Sequence, residues 1–101
     1  MTFTETALLA SIDETLASIK AALVAAEDPE QTAEARTELA ARAAADSARL
    51  VMEADPSDWP GVDPAILDAV RGIEQPAHQG DLEEMRRRLA RAREMLGGPS
   101  A

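Results

Sequence analysis

Leu9-Ala-Ser-Ile12-Asp-Glu-Thr-Leu16-Ala-Ser-Ile19-Lys-Ala-Ala-Leu23 sets the fold class. Its large apolar residues, continued by Ala26, recur at alternating steps of three and four, which winds them onto one narrow stripe of a helix. Asp13, Glu14 and Lys20 fall off that stripe. The spacing predicts a helix from about residue 4 to residue 27. Thr2-Phe3-Thr4-Glu5 reads as a capping box at its start, in which Thr and Glu satisfy free backbone donors.

Working outward, Asp28-Pro29-Glu30-Gln31 carries a capping Asp, a Pro suited to the first helical position and a Gln to complete the box. A second helix is therefore expected from about 29 to 54. One side of it holds Glu27, Glu34, Glu38, Arg42, Arg49 and Glu53. Ala33, Ala40, Ala43, Ala44, Ser47, Leu50 and Val51 form the opposite arc, with Arg36 intruding. Small side chains allow close approach, so the first two helices should form a tight antiparallel hairpin. Arms roughly 35–40 Å long need more than each other to cover their apolar faces.

Asp55-Pro-Ser-Asp-Trp59-Pro-Gly-Val-Asp63 cannot continue a helix, which makes 55–63 a loop. Asp63-Pro64 repeats the start signal, and a third helix is expected over 64–75, with Ile66, Leu67, Val70 and Ile73 inward and Pro76 as its end. Asp81-Leu82-Glu83-Glu84 is another capping box. The fourth predicted helix, 82–96, carries Leu82, Met85, Leu89, Ala92 and Leu96 as a second stripe, stopped by Gly97-Gly98-Pro99. No period-two alternation occurs. The expected fold is all-α: a long antiparallel hairpin plus two shorter helices in a four-helix-bundle-like single domain spanning 1–101.

Composition narrows the function. The chain has 101 residues, 46% hydrophobic and 29% charged, with a formal net charge of −9, no Cys, no Tyr, one Trp, one Phe and one His. That leaves no disulfide, thiolate zinc site or cysteine nucleophile, and almost nothing for a His-based triad or metal site. About one residue in five is Ala, which favours helix but buries little area. A chain this short buries only about 60–70% of its unfolded surface, so an Ala-rich core invites help from a partner. Met1-Thr2-Phe3-Thr4-Glu5 lacks a basic signal-peptide start, and no apolar run approaches the ~18 residues of a membrane span, so a cytoplasmic setting away from membranes is expected. Residues 1–70 carry a net charge of −10 and residues 71–101 of +1, an asymmetry able to orient a partner or two copies.

Four constellations bear on chemistry. Arg86, Arg87, Arg88, Arg91 and Arg93 could neutralise phosphates. They spread round the helix, however, with Glu83 and Glu84 four residues before Arg87 and Arg88, as on a solvated flank. The net charge and scarcity of aromatics argue further against nucleic acid as a partner. Glu27, Glu30, Glu34 and Glu38 could hold magnesium or calcium, as paired carboxylates do in all-helical nucleotide pyrophosphatases, but no matching pair faces them; Asp55 and Asp58 sit in the loop. The same acids could mimic a phosphate backbone. His78, placed in a connection, has no local partner for acid–base work.

Trp59-Pro60-Gly61 resembles the Trp-x-Gly turn of the WXG100 proteins, secreted helical hairpins of similar length. In that family the motif joins the two long helices, whereas here it follows the second, and the family's Tyr-containing C-terminal signal has no counterpart. Trp59 is read instead as a cap folded over the open end of the hairpin, with a partner anchor as the other use of so large a side chain.

The two stripes do not obviously close on one monomeric bundle, so two hairpins are expected to assemble as a homodimer. The reading is a non-enzymatic protein–protein interaction module, an adaptor, assembly factor or inhibitor, requiring no cofactor. Its contact residues would be Leu9, Ile12, Leu16, Ile19, Leu23, Trp59, Leu82, Met85, Leu89 and Leu96, with Arg86 and Arg93 as a charged rim. The alternatives are a regulator of a nucleic-acid process, by acidic mimicry or through the Arg-rich helix, and a carboxylate–metal hydrolase.

Overall fold

The computed structural model describes residues 5–97. Five helices follow in order: α1 (Glu5–Glu27), α2 (Ala33–Glu53), α3 (Pro64–Arg71), α4 (Glu74–His78) and α5 (Leu82–Gly97). Among the described residues there is no strand. Thr2, Phe3 and Thr4, and with them the proposed first capping box, lie outside the described residues, as does Gly98-Pro99.

α1 is the central rod, packed against α2 along one side and α5 along another. Ser18 pairs with Asp46 and Arg36 reaches Ala25, so α1 and α2 run antiparallel as expected. α3 and α4 each touch both α2 and α5, and together they supply a broken fourth side of the bundle.

The bend between α1 and α2 is longer than the sequence suggested. Two antiparallel helices need about two to five residues to reverse the chain. A helix starting at Pro29 would leave almost none after Glu27. The Asp28 carboxylate therefore accepts from the backbone N–H of Glu30, at 2.9 Å, within the turn. Thr32 becomes the cap instead, its hydroxyl accepting from Ala35 N at 3.0 Å. Arg36, the intruder on the small face, has a definite role: its Nε donates to the Ala25 carbonyl at 3.0 Å and its Nη2 to that of Asp28. It thereby adds a side-chain donor to the Ala25 carbonyl in the last turn of α1 and to the Asp28 carbonyl in the bend that follows.

The third predicted helix divides. α3 closes at Gly72, and Pro76 lies inside α4 rather than ending a helix. Pro is tolerated there because the first turn of a helix needs no N–H from it. The Pro76 ring is buried, and its carbonyl accepts from Asp81 N at 2.9 Å. That bond also explains why only half the second capping box forms. Asp81 accepts from Glu84 N at 3.1 Å, but its own N–H is already taken, and the Glu84 carboxylate turns to Arg88. Gly80, at φ 69°, makes the reversal into α5 in the left-handed region that favours glycine.

The two stripes meet inside one chain. Ile12, Leu16 and Ile19 of α1 share a buried cluster with Met85, Leu89 and Ala92 of α5, joined by Leu50, Trp59, Ile66, Leu67, Val70 and Ile73. The expectation that the stripes would stay open without a second copy is thus corrected: α5 covers the side of α1 that α2 leaves bare.

Candidate functional site

Of the residues expected to carry contact, Ile12, Leu16, Ile19, Trp59, Met85 and Leu89 are buried and form the core. Leu23, Leu82 and Leu96 are half-buried and packed against it. Leu9 is half-buried as well; Leu8 takes the inward position, and Ala22 and Ala25 are buried while Ala26 is exposed. The buried arc of α1 is broader than a two-per-heptad stripe because two helices pack on it. Leu8, Thr15, Ala22 and Ala25, outside the large-residue pattern, complete it.

Trp59 is 4% exposed, and its indole N–H donates to the carbonyl of Glu53 at 2.7 Å. The ring is therefore a core element holding the C-terminal turn of α2, in agreement with the capping reading.

The Arg-rich helix is internally neutralised. Arg86 pairs with Glu83, while Arg87 lies 3.6 Å from Glu84. Arg88 bonds Glu84 at 3.3 Å and the Gly72 carbonyl at 2.9 Å, tying α5 to the end of α3. Arg93 crosses to Asp13 of α1 at 2.5 Å. Among the described residues, Arg91 is the member of the cluster without an ion pair, so no continuous cationic face remains. Hydrogen bonding to Arg86 holds the Glu83 carboxyl below the ordinary carboxylate range, and the same bond raises Arg86. Asp13 raises Arg93 in the same way.

The acidic ladder is shorter than the sequence implied. Glu30 lies in the turn before α2, leaving Glu34 and Glu38 on the helix, both exposed. No group of three or more potential ligands able to hold a metal ion occurs among the described residues. Asp55 is committed locally, accepting from both the backbone N–H and the hydroxyl of Ser57, at 3.0 and 2.9 Å; these bonds lower its pKa. His78 ends α4 rather than lying in a connection, and its Nε2 is 3.6 Å from exposed Glu74.

The helical hairpin leaves one feature that sequence reading passed over. Ala33 and Ala44, expected inward, are exposed. On the solvent side of α2, Ala41, Ala45, Ala48 and Met52 follow at steps of four, three and four, all exposed, and Met52 is 81% exposed. Arg42, Arg49, Glu38 and Glu53 are exposed on the same helix. The spacing was legible in the sequence, but Leu50 and Val51 mark the other arc as the apolar one, which left this second stripe unremarked.

No helix among the described residues is long and apolar enough to cross a membrane. Comparison with protein-family models, curated proteins and solved structures gave no match.

Proposed function

We propose that the protein is a non-catalytic protein–protein interaction module that engages its partner through the outward stripe of α2, a second copy being the first partner to test. The observation that carries this reading is the run Ala41, Ala45, Ala48 and Met52, exposed at the spacing that helices use to pack on one another. Small residues let a second helix approach closely, and a solvent-facing Met is a soft, adaptable contact. The flanking Arg42, Arg49, Glu38 and Glu53 would form a charged rim that sets register rather than affinity. This moves the contact from the stripes of α1 and α5, which the core consumes, to the opposite face of the hairpin. The reading takes the setting to be the cytoplasm, which the cysteine-free composition suits. Regulation of a nucleic-acid process through the Arg-rich helix receives less support, because its arginines are paired with Glu83, Glu84 and Asp13.

Sedimentation measured over a concentration series tests the reading. The wild-type mass should rise with concentration, while Ala45→Glu and Met52→Asp remain monomeric with unchanged helical circular dichroism. A wild-type chain still monomeric at about 100 μM overturns self-association at useful affinity. If immobilised wild type and Met52→Asp then also retain the same proteins from an extract, the stripe is not a contact surface.

A further inference from the structure

α1 is bound to its two long neighbours by different chemistry. Toward α5 it contributes to a cluster of large apolar side chains, with Ile12, Leu16 and Ile19 joined by Met85 and Leu89. Toward the turn-proximal part of α2 the contact is small and polar, apart from Leu39, which packs on the core. Ser18 donates to Asp46, Arg36 reaches backbone carbonyls, and Ser11, Glu14 and Thr15 line a cleft with Asp46, Arg49 and Glu53. Along its 21 residues α2 buries only Ala43, Ser47 and Leu50. No residue from Ala26 to Arg42 is buried. Ser47 is fully buried, yet its hydroxyl has no hydrogen-bond partner. A buried hydroxyl without a partner loses its water and gains nothing in return, so it favours any state that lets water back in. The other end of the helix is held differently: Leu50 and Ala54 are in the core, and Trp59 bonds the Glu53 carbonyl.

We propose that α2 from Ala33 to Ser47 is a latch, opening as a cooperative unit from its turn-proximal end while α1, α3, α4 and α5 stay assembled. It would hinge on the turn anchored by Leu50 and Trp59. Opening rehydrates Ser47, Asp46 and Ser18, releases the Arg36 bonds and the contact with α4, and frees one large apolar side chain, Leu39. Parting α1 from α5 instead exposes Ile12, Leu16, Ile19, Met85 and Leu89 together. The uncovered face of α1 would be the small side opposite that segment, around Ser18, Ala22 and Ala25, a surface absent from the closed state. The latch carries Ala41 and Ala45 of the contact proposed above for α2, so it is to be measured at a concentration where sedimentation shows monomer.

Native-state amide hydrogen exchange resolved by residue, at increasing sub-denaturing urea, tests it. Amides of Ala43 to Ser47 lie deep enough in α2 to be unaffected by fraying at Ala33. They should exchange at least about ten-fold faster than those of Ile12 to Ala22 and Met85 to Ala92, with a shallower dependence on urea. A common rate for the three groups, or a common urea slope, shows that α2 separates only when the whole bundle unfolds and overturns the latch.

Discussion

The guanidinium of Arg36 closes the C-terminal end of α1, donating to the carbonyl of Ala25, eleven residues earlier, at 3.0 Å and to that of Asp28. One side chain on the second helix thus finishes the first and fixes the bend between them. Removing it leaves the Ala25 and Asp28 carbonyls with only the longer backbone bonds from Asp28 N and Gln31 N, at 3.3 and 3.2 Å. Arg36→Ala should lower stability by about 1–2 kcal/mol, and Arg36→Lys should recover part of the loss because an ammonium cannot span both oxygens in a fixed fork. Urea denaturation of the three proteins checks both statements.

Trp59 combines volume with one directed bond. Trp59→Phe keeps most of the apolar ring but leaves the Glu53 carbonyl without the indole donor, for an expected loss of about 1 kcal/mol. Trp59→Ala adds a cavity and should cost about 3–5 kcal/mol. Equal losses in the two variants would show that packing contributes nothing beyond the hydrogen bond.

Ser47→Ala is expected to stabilise. The substitution removes a buried hydroxyl that has no partner and places a better helix former in α2. A gain of about 1 kcal/mol corresponds to a rise in Tm of roughly 4–8 °C for a domain of this size. Calorimetry giving a lower Tm would mean that the hydroxyl is satisfied in solution.

Stability should fall in acid partly through Asp55 and Glu83. Both carboxyls titrate lower in the folded chain than normally, Asp55 because Ser57 donates to it and Glu83 because Arg86 does. A carboxyl with a depressed folded pKa adds stability that is complete above its unfolded pKa and is lost as pH drops through the folded one. Ser57→Ala should therefore reduce Tm at neutral pH and converge with wild type on the acid side of the carboxylate range. A difference that persists unchanged in strong acid assigns the effect of Ser57 to the uncharged loop.

Large residues made the all-helical class, the hairpin and both inward stripes readable, since Ile12, Ile19, Met85 and Leu89 occupy the core as their spacing requires. The misjudged positions share a cause: each depends on a tertiary neighbour. Asp28-Pro29 and Asp63-Pro64 are the same signal, yet only the second opens a helix, its Asp63 carboxylate accepting from Ala65 N at 2.9 Å. The first is overruled by the need to turn the chain around. Leu9 yields to Leu8 because a second partner rotates the buried arc of α1. Ala43 falls inward with Ser47 and Leu50 as its spacing requires, but Ala33 and Ala44, on the same predicted arc, are exposed, because the arc that α1 covers is narrower than the run of small side chains.

The burial of Trp59 at the hinge end of α2 has a spectroscopic consequence. With one Trp and no Tyr in the chain, near-ultraviolet emission reports on that single location, some turns away from the residues proposed to open. Far-ultraviolet circular dichroism instead sums every helical turn. In a urea titration the ellipticity should begin to fall before the emission maximum moves, so the two transitions will not superimpose. A midpoint taken from fluorescence alone would report the α1–α5 body and remain blind to the half of the hairpin that leaves first.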